Sequence, residues 1–515
     1  MLTPLDYVVL IGYIIAVIWF GLRISGSQKS TTDYFLGGRN LPWWAVCFSI
    51  VATETSTLTV IGIPAVAYGG TFTFLQLTLG YLVGRAVVAI YFLPKYLTGE
   101  IETAYAFLGS RFGPRMRTLS SVTFMGTRLL ADGVRLFATA IPIKVIADAA
   151  GVSVGYPVII LFVGLLTVVY TYFGGLKAVV WMDVAQMILY LAAATGTILV
   201  LNAALEDGAW DALSAAGKLQ VFQFGGFREI LTQPYAFWTA VIGGAVFSMA
   251  SHGTDHLIVQ RLLACRTLTD SRKALVGSGF IVMIQFAVFL MVGALLWAYY
   301  GGASVSELGL TRGDEVFPMF IIQGLPPGIS GLVLAGILAA AMSTLSSSLN
   351  ALASATMLDV LGNLKGRRKT EGSSEGSGST EAMLRTSRWL TLSWGGVFVL
   401  FAMLFEDRTN PVVELGLSIA SFTYGALLGV FLLGMLNDRV GERGAMISFV
   451  ITIALMILLI FGVWIDAQGA WHFVIAPGQE RIQALGLSPL AWPWYTLIGS
   501  LMTLFLGSLL GLKHR

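Results

Sequence analysis

Charge is the scarcest property of this sequence. Its 515 residues hold 31 Lys and Arg and 28 Asp and Glu, 11% of the chain, where soluble domains are about one quarter charged. That deficit excludes a soluble globular protein of this length. The two signs nearly cancel, at +3, and no array of basic and aromatic side chains is present, so nucleic acid is excluded as a partner. Cysteine is nearly absent: Cys47 and Cys265 fall near the ends of different apolar segments, which leaves neither a disulfide framework nor metal spacing. No nucleophile with its base, no phosphate loop and no metal constellation occurs, so the chain is not expected to be an enzyme. Met1 to Asp6 lacks the basic start of a secretory signal, and the first apolar run is long enough to be retained as a spanning helix.

What is present is apolar: 56% of residues are hydrophobic and mean hydropathy is +0.80. Runs of about 20 such residues read as membrane spans. Thirteen begin near Leu5, Pro42, Phe74, Leu119, Val154, Ala178, Tyr235, Ala274, Pro327, Ser387, Val412, Ala445 and Trp492. An all-α polytopic membrane protein of about 13 helices is expected. The basic residues test that count, because cytoplasmic loops collect Lys and Arg. Alternate loops carry Arg23, Lys29 and Arg39; Lys95, Arg111, Arg115 and Arg117; Lys177; Arg266, Arg272 and Lys273 with Arg261 at their edge; the cluster Lys365 to Arg388; Arg439 and Arg443; and Lys513 and Arg515. The other loops hold only Lys218, Arg228, Arg312, Arg408 and Arg481. This asymmetry predicts a multi-pass protein of the cell (inner) membrane with its N-terminus outside and its C-terminus cytoplasmic.

The most informative stretch is AAAMSTLSSSLNALAS, Ala339 to Ser354, which sets Ser343, Thr344, Ser346, Ser347 and Ser348 in an otherwise apolar helix. At 3.6 residues per turn, Ala340, Ser343 and Ser347 share a face above Asn350, flanked by Thr344 and Ser346. Two readings fit. Small hydroxylated residues let two membrane helices approach closely and hydrogen-bond, and the same oxygens suit half of a dehydrated alkali-cation site.

Between spans, Gly366 to Ala382 is Gly, Ser and charge without apolar period, a flexible cytoplasmic tether (loop 365–384). Glu206 to Gln233 and Ala303 to Met319 suggest external loops with short amphipathic helices. Trp and Tyr cluster at expected boundaries, as an aromatic belt does. An extra helix at 5–24 precedes two groups of five spans, 42–203 and 234–436, of opposite orientation because five is odd; two further helices follow at 444–512. Such inverted repeats place a binding site at the midplane between interrupted helices. The first helix of each group is interrupted: one holds Glu54, hydroxyls and Gly62-Ile63-Pro64, the other Gly clusters, His252 and Asp255.

Six collinear motifs then carry a resemblance: Tyr34 to Trp44, Gly80 to Pro94, Gly174 to Gln186, Gly253 to Ala264, the AAAMSTLSSSLNA run, and Phe422 to Gly434. Over essentially its whole length the chain resembles the sodium/solute symporter family. The resemblance implies a leucine-transporter-like core of five plus five helices, with Na+ as the co-transported ion, one or two per cycle. The widely shared sodium site would use carbonyls of Ala52, Thr55 and Ala340 and hydroxyls of Ser343 and Thr344. A second site, found in some relatives, would use Asp183 with Ser343, Ser346 and Ser347; otherwise Asp183 is a helix-start residue without an ion.

For the substrate, Glu54 stands where the galactose carrier has an amide and the proline carrier an aspartate, and a buried carboxylate needs a partner. His252 falls near a position that is aromatic in the galactose carrier. Ser56, Thr59, Gln76, Thr78, Ser248, Ser251, Gln285, Ser421 and Thr423 are further candidates to line the cavity, while Arg85 is expected to pack structurally. Arg128, Asp132 and Arg135 sit at spacings of four and three, so Asp132 pairs with one arginine and leaves the other to a substrate carboxylate, or all three form a structural triad.

The expected function is a Na+-coupled symporter importing a small polar organic solute by alternating access, with a lean toward an organic or sugar acid. Sugar or amino-acid symport, proton coupling through Glu54 or Asp183, and solute sensing through a separate signalling partner are the alternatives. The expected partners are the solute and the bilayer, with no obligatory protein partner.

Overall fold

The computed structural model describes residues 2–24, 28, 30–99, 101–149, 151–362, 377–405, 412–475, 477 and 479–511. Helix dominates. The longer helices are α1 (Pro4–Ile24), α2 (Trp43–Glu54), α3 (Leu58–Gly69), α4 (Phe72–Thr98), α5 (Pro114–Ala149), α6 (Tyr156–Ala204), α7 (Gly244–Gly253), α8 (His256–Leu263), α9 (Leu268–Tyr299), α10 (Ile329–Leu361), α11 (Ser377–Leu404), α12 (Val412–Leu436), α13 (Glu442–Gly462) and α14 (Pro493–Gly511). Among the described residues eight helices are long and apolar enough to cross a membrane, or nine if the bent pair α2 and α3 is one span.

The runs from Leu119, Tyr235 and Val412 fall outside that set, the last counting only as a shorter apolar helix, Thr423–Leu436. Helix α5 carries Arg128, Asp132 and Arg135 within eight residues, and the second run is split where α7 ends and Asp255 caps α8. The runs from Val154 and Ala178 form one helix, α6, of 49 residues. Straight, it would be about 73 Å long, more than twice a bilayer core of about 30 Å. It turns at Gly175, whose φ of 56° and ψ of −166° are open to glycine. There the chain passes the Tyr34 carbonyl so closely that a Cβ would lie 2.6 Å from it. Of the expected tether, 365–376 lies outside the described residues, and α11 begins at Ser377 within it.

Helix α10 is the axis of the molecule. Its apolar window is 89% buried, against 17% for α1 and 33% for α13, so α10 is wrapped by protein while α1 and α13 turn apolar side chains outward to lipid. Its small residues permit that wrapping, most closely against α6. Helix α1 is fastened to its start: Asp6 accepts from the Gly328 and Gly331 amides, both at 2.8 Å. A second seam joins α4 to α7, where a Cβ on Gly84 would meet the Ala245 carbonyl at 2.3 Å. Between α13 and α14 a small antiparallel sheet forms in the order β2 (Trp471–Phe473), β1 (Val463–Ile465), β3 (Ser488–Pro489), with Trp464 opposite His472 and Pro489.

Candidate functional site

The site starts at the break between α2 and α3. After Glu54 the backbone leaves the helix, with Thr55 extended at φ −86° and ψ 106°, and resumes at an angle of 65° to α2. The local sequence Thr53 to Thr57 favours this, because β-branched residues resist the helix and hydroxyls compete for backbone groups. The break is held from outside. Gln285 on α9 donates to the Thr55 hydroxyl at 2.6 Å and accepts from the Tyr190 hydroxyl of α6 at 3.0 Å.

Opposite the break lies the hydroxylated face of α10. The Thr344 Oγ1 is 3.2 Å from the Thr55 carbonyl oxygen, 3.3 Å from that of Ala340 and 3.4 Å from that of Thr53. One hydroxyl hydrogen serves one acceptor well, so several oxygens converge with fewer protons than lone pairs. Such a set suits a hard, unhydrated cation. Thr55, Ala340 and Thr344 are therefore together; the third carbonyl is that of Thr53, next to the buried Ala52. The Ser343 hydroxyl is turned to the other side of α10, donating to Asp183 Oδ1 at 2.5 Å.

Asp183 lies in a second, fully buried cluster. Its Oδ2 accepts from Ser49 at 2.5 Å and faces the Arg261 guanidinium at 3.3 Å. Arg261 also donates to Ser347, and Ser346 donates to the Ser343 carbonyl at 3.0 Å. The expected second-sodium residues are thus gathered around an internal guanidinium. Arg261, expected at the edge of a cytoplasmic loop, has 0% side-chain exposure.

On the far side of the break is a cavity of about 100 Å³. Glu54, Ser56, Thr59, Arg135, Ser251 and His252 line it, with Thr53, Arg128 and an apolar wall including Phe74, Tyr81, Phe247, Phe286 and Tyr424. Glu54 is held by both oxygens to Arg85 NH2 (2.8 and 2.6 Å) and touches His252 Nε2. Arg85 is thus the partner that the buried carboxylate requires, beyond its expected packing role. His252 Nδ1 lies 2.8 Å from the Ser251 hydroxyl.

The α5 triad is resolved by a fourth residue. Arg128 pairs with Asp255 at the α8 cap, which also accepts from Tyr424, so Arg128 is not the arginine left under-compensated. Arg135 shares Asp132 with it, at 2.9 Å against 3.5 Å for Arg128. The Arg135 Nε is buried without a hydrogen-bond partner among the described residues.

The remaining candidates stand away from the cavity wall. Gln76 donates to the Tyr235 carbonyl at 2.7 Å, Thr78 to that of Leu75 at 2.7 Å, and Ser248 to that of Tyr81 at 3.1 Å. Gln285 supports the break. Ser421 is buried on α12, and Thr423 pairs with Thr127 at 2.6 Å. The residues that sequence reasoning passed over are Tyr424 and the aromatic wall; Asp255 was read only as a charge that interrupts its apolar run, and its pairing with Arg128 was not foreseen.

A sequence model described as the Sodium:solute symporter family matches residues 34–452. The sodium/sialic acid symporter of Aliivibrio fischeri is 28% identical over 461 residues, covering 87% of this chain and 86% of its own. The human sodium/iodide cotransporter is 27% identical over 454 residues, 86% of this chain and 67% of its own. Among solved structures, the substrate-bound outward-open state of a Na+-coupled sialic acid symporter aligns with a TM-score of 0.80 at 23% identity, over 100% of this chain and 98% of that one. This chain shares that fold.

Proposed function

The chain belongs to the sodium:solute symporter family, and from that premise we propose that it couples Na+ entry to uptake of a small carboxylate-bearing solute by alternating access. The observation that carries the reading is the convergence of the Thr53, Thr55 and Ala340 carbonyls on Thr344, beside a cavity that the Arg135 guanidinium side chain lines. Na+ sits among the Thr53, Thr55 and Ala340 carbonyls and the Thr344 hydroxyl, while the Ser343 hydroxyl stays with Asp183. The ion then bridges α10 to the broken helix, closing the gap on which the cavity depends. The solute carboxylate pairs with Arg135, which offers the planar fork that carboxylates prefer. Relatives that carry sialic acid, a sugar acid, agree with this class.

Residues 42–203 and 234–436 are the two inverted repeats, each opening with a broken helix, at 55–57 and at 254–255. Their relative rocking exposes the site to each side in turn, with the N-terminus outside and the C-terminus in the cytoplasm. One Na+ gains about 2.3 kcal/mol from a potential of 100 mV. A second Na+ at Asp183 would have to displace Arg261, so one ion per cycle is the reading favoured here.

The test is uptake into proteoliposomes of sialic acid, other sugar acids, monocarboxylates, neutral sugars and amino acids, with Na+ or choline outside. Carboxylate uptake confined to the Na+ condition supports the proposal. Uptake indifferent to Na+ and driven by a pH gradient, or confined to neutral solutes, overturns it.

A further inference from the structure

A second void of about 10 Å³, the room of roughly one water, lies on the α10 side of the break and is lined by Ser56, Asp132, Arg135, Thr139 and Thr344 among others. Ser56 lines this void and the larger cavity alike. Asp132, with 1% side-chain exposure, is divided between the two sides: Oδ1 holds Arg135 NH1 at 2.9 Å, and Oδ2 accepts from Ser348 of α10 and faces Arg128 NH1 at 3.5 Å. Ser348 lies one turn from Thr344, on the same face of the helix.

We propose that Asp132 is the positioning residue through which the solute anion and Na+ favour one another's binding, an inference that rests on the placement of Na+ at Thr344 and of the carboxylate at Arg135. Without solute, Arg135 spends its charge on Asp132, and the carboxylate has little field left for a cation at Thr344. A solute carboxylate arriving at Arg135 takes over that pairing. The Asp132 charge then turns to the void and to α10, where it favours Na+. The buried region thereby admits one anion and one cation as a neutral pair, which is far less costly in a low-dielectric interior than either alone. By linkage, Na+ strengthens solute binding by the same factor. Arg128 does not compete for this role, because Asp255 and Tyr424 already engage it.

The experiment uses Na+ alone as the probe and reads thermal stability of the purified protein against NaCl, with KCl as control, since binding to the folded state raises stability. Arg135→Gln mimics neutralisation of the guanidinium by solute. It is expected to lower the Na+ concentration for half-maximal stabilisation about fivefold or more, within the usual range of such couplings. That gain is expected to vanish in the Asp132→Asn background. No gain with Arg135→Gln, or a gain that persists without Asp132, overturns the proposal. If Asp132→Asn does not fold, Ser348→Ala keeps every charge and releases Asp132 from α10; the gain should then shrink, and an undiminished gain overturns the proposal equally. A wild-type protein that Na+ and K+ stabilise alike instead refutes the ion site itself, and the coupling with it. A purely packing role for Asp132 predicts no tightening in any variant.

Discussion

Thr344 meets the backbone of Thr55 across the interior, its hydroxyl oxygen 3.2 Å from that carbonyl oxygen, and this contact joins the most buried of the membrane-length helices to the break between α2 and α3. Replacing Thr344 with Ala removes the side-chain oxygen from a set otherwise made of carbonyls. The Na+ concentration for half-maximal uptake should rise about tenfold, equivalent to about 1.4 kcal/mol. Thr344→Ser, which keeps the oxygen, should remain within about twofold of wild type. Uptake in proteoliposomes over a Na+ series checks both, and an unchanged requirement in Thr344→Ala removes this residue from the ion site.

Asp183 and Arg261, both without exposure, stabilise each other. Asp183→Asn strands a buried guanidinium, at a cost of about 3–5 kcal/mol, and should lower the melting temperature measured in detergent sharply. The paired change Asp183→Leu with Arg261→Met removes both charges and should recover most of that loss. Because Arg261 neutralises Asp183, the Hill slope for Na+ should be unaltered in Asp183→Asn protein that does reach the membrane. A slope falling from about two to one would place a second ion there.

Much of this site was legible because it lies on regular helix. The face of Ser343, Thr344 and Ser347 follows from helical period alone, and the hydroxyls are visible because apolar residues surround them. That the first helix of each repeat is interrupted was legible from charge and glycine in apolar runs, but the place in the first was not: the chain breaks at Thr55, while Gly62-Ile63-Pro64 lies within α3 in helical conformation. The ion pairs were not. Glu54 finds Arg85 31 residues away, Asp183 finds Arg261 78 away and Arg128 finds Asp255 127 away, and periodicity carries no information on which helices become neighbours. The same limit left it open whether Arg128 or Arg135 was the under-paired cation, since the local spacing to Asp132 is satisfied by both.

The seam between α4 and α7 is set by backbone contact. A Cβ at Gly84 would lie 2.3 Å from the Ala245 carbonyl and 2.7 Å from the Ser248 Cβ, and backbone cannot yield as a flexible side chain does. Gly84→Ala should destabilise by about 1–3 kcal/mol, visible as a lower melting temperature. Because α4 also carries Arg85 to Glu54, the same variant should weaken solute affinity more than Na+ affinity. Gly126, with nothing within 4 Å of its would-be Cβ, is the control, and Gly126→Ala should leave both unchanged.

The sheet beyond α13 offers a pH test outside the membrane. Asp466 accepts from His472 Nε2 at 2.8 Å and from the Ala470 and Gln468 amides at 2.9 Å each. The His472 hydrogen bond first, then those amides, hold its carboxyl below the usual aspartate value. A carboxylate whose folded value is lowered lends stability above its unfolded value, about pH 4, and that stability is lost as pH falls through the lowered folded value. The turn from Asp466 to Ala470 should therefore stay closed from neutral pH down to about pH 4 and open below it. Hydrogen exchange at the Gln468 and Ala470 amides, corrected for the intrinsic pH dependence, should show protection constant above that point and falling beneath it. Asp466→Asn should abolish the acid step while lowering protection at neutral pH. An acid step that survives in Asp466→Asn would assign the titration to another group.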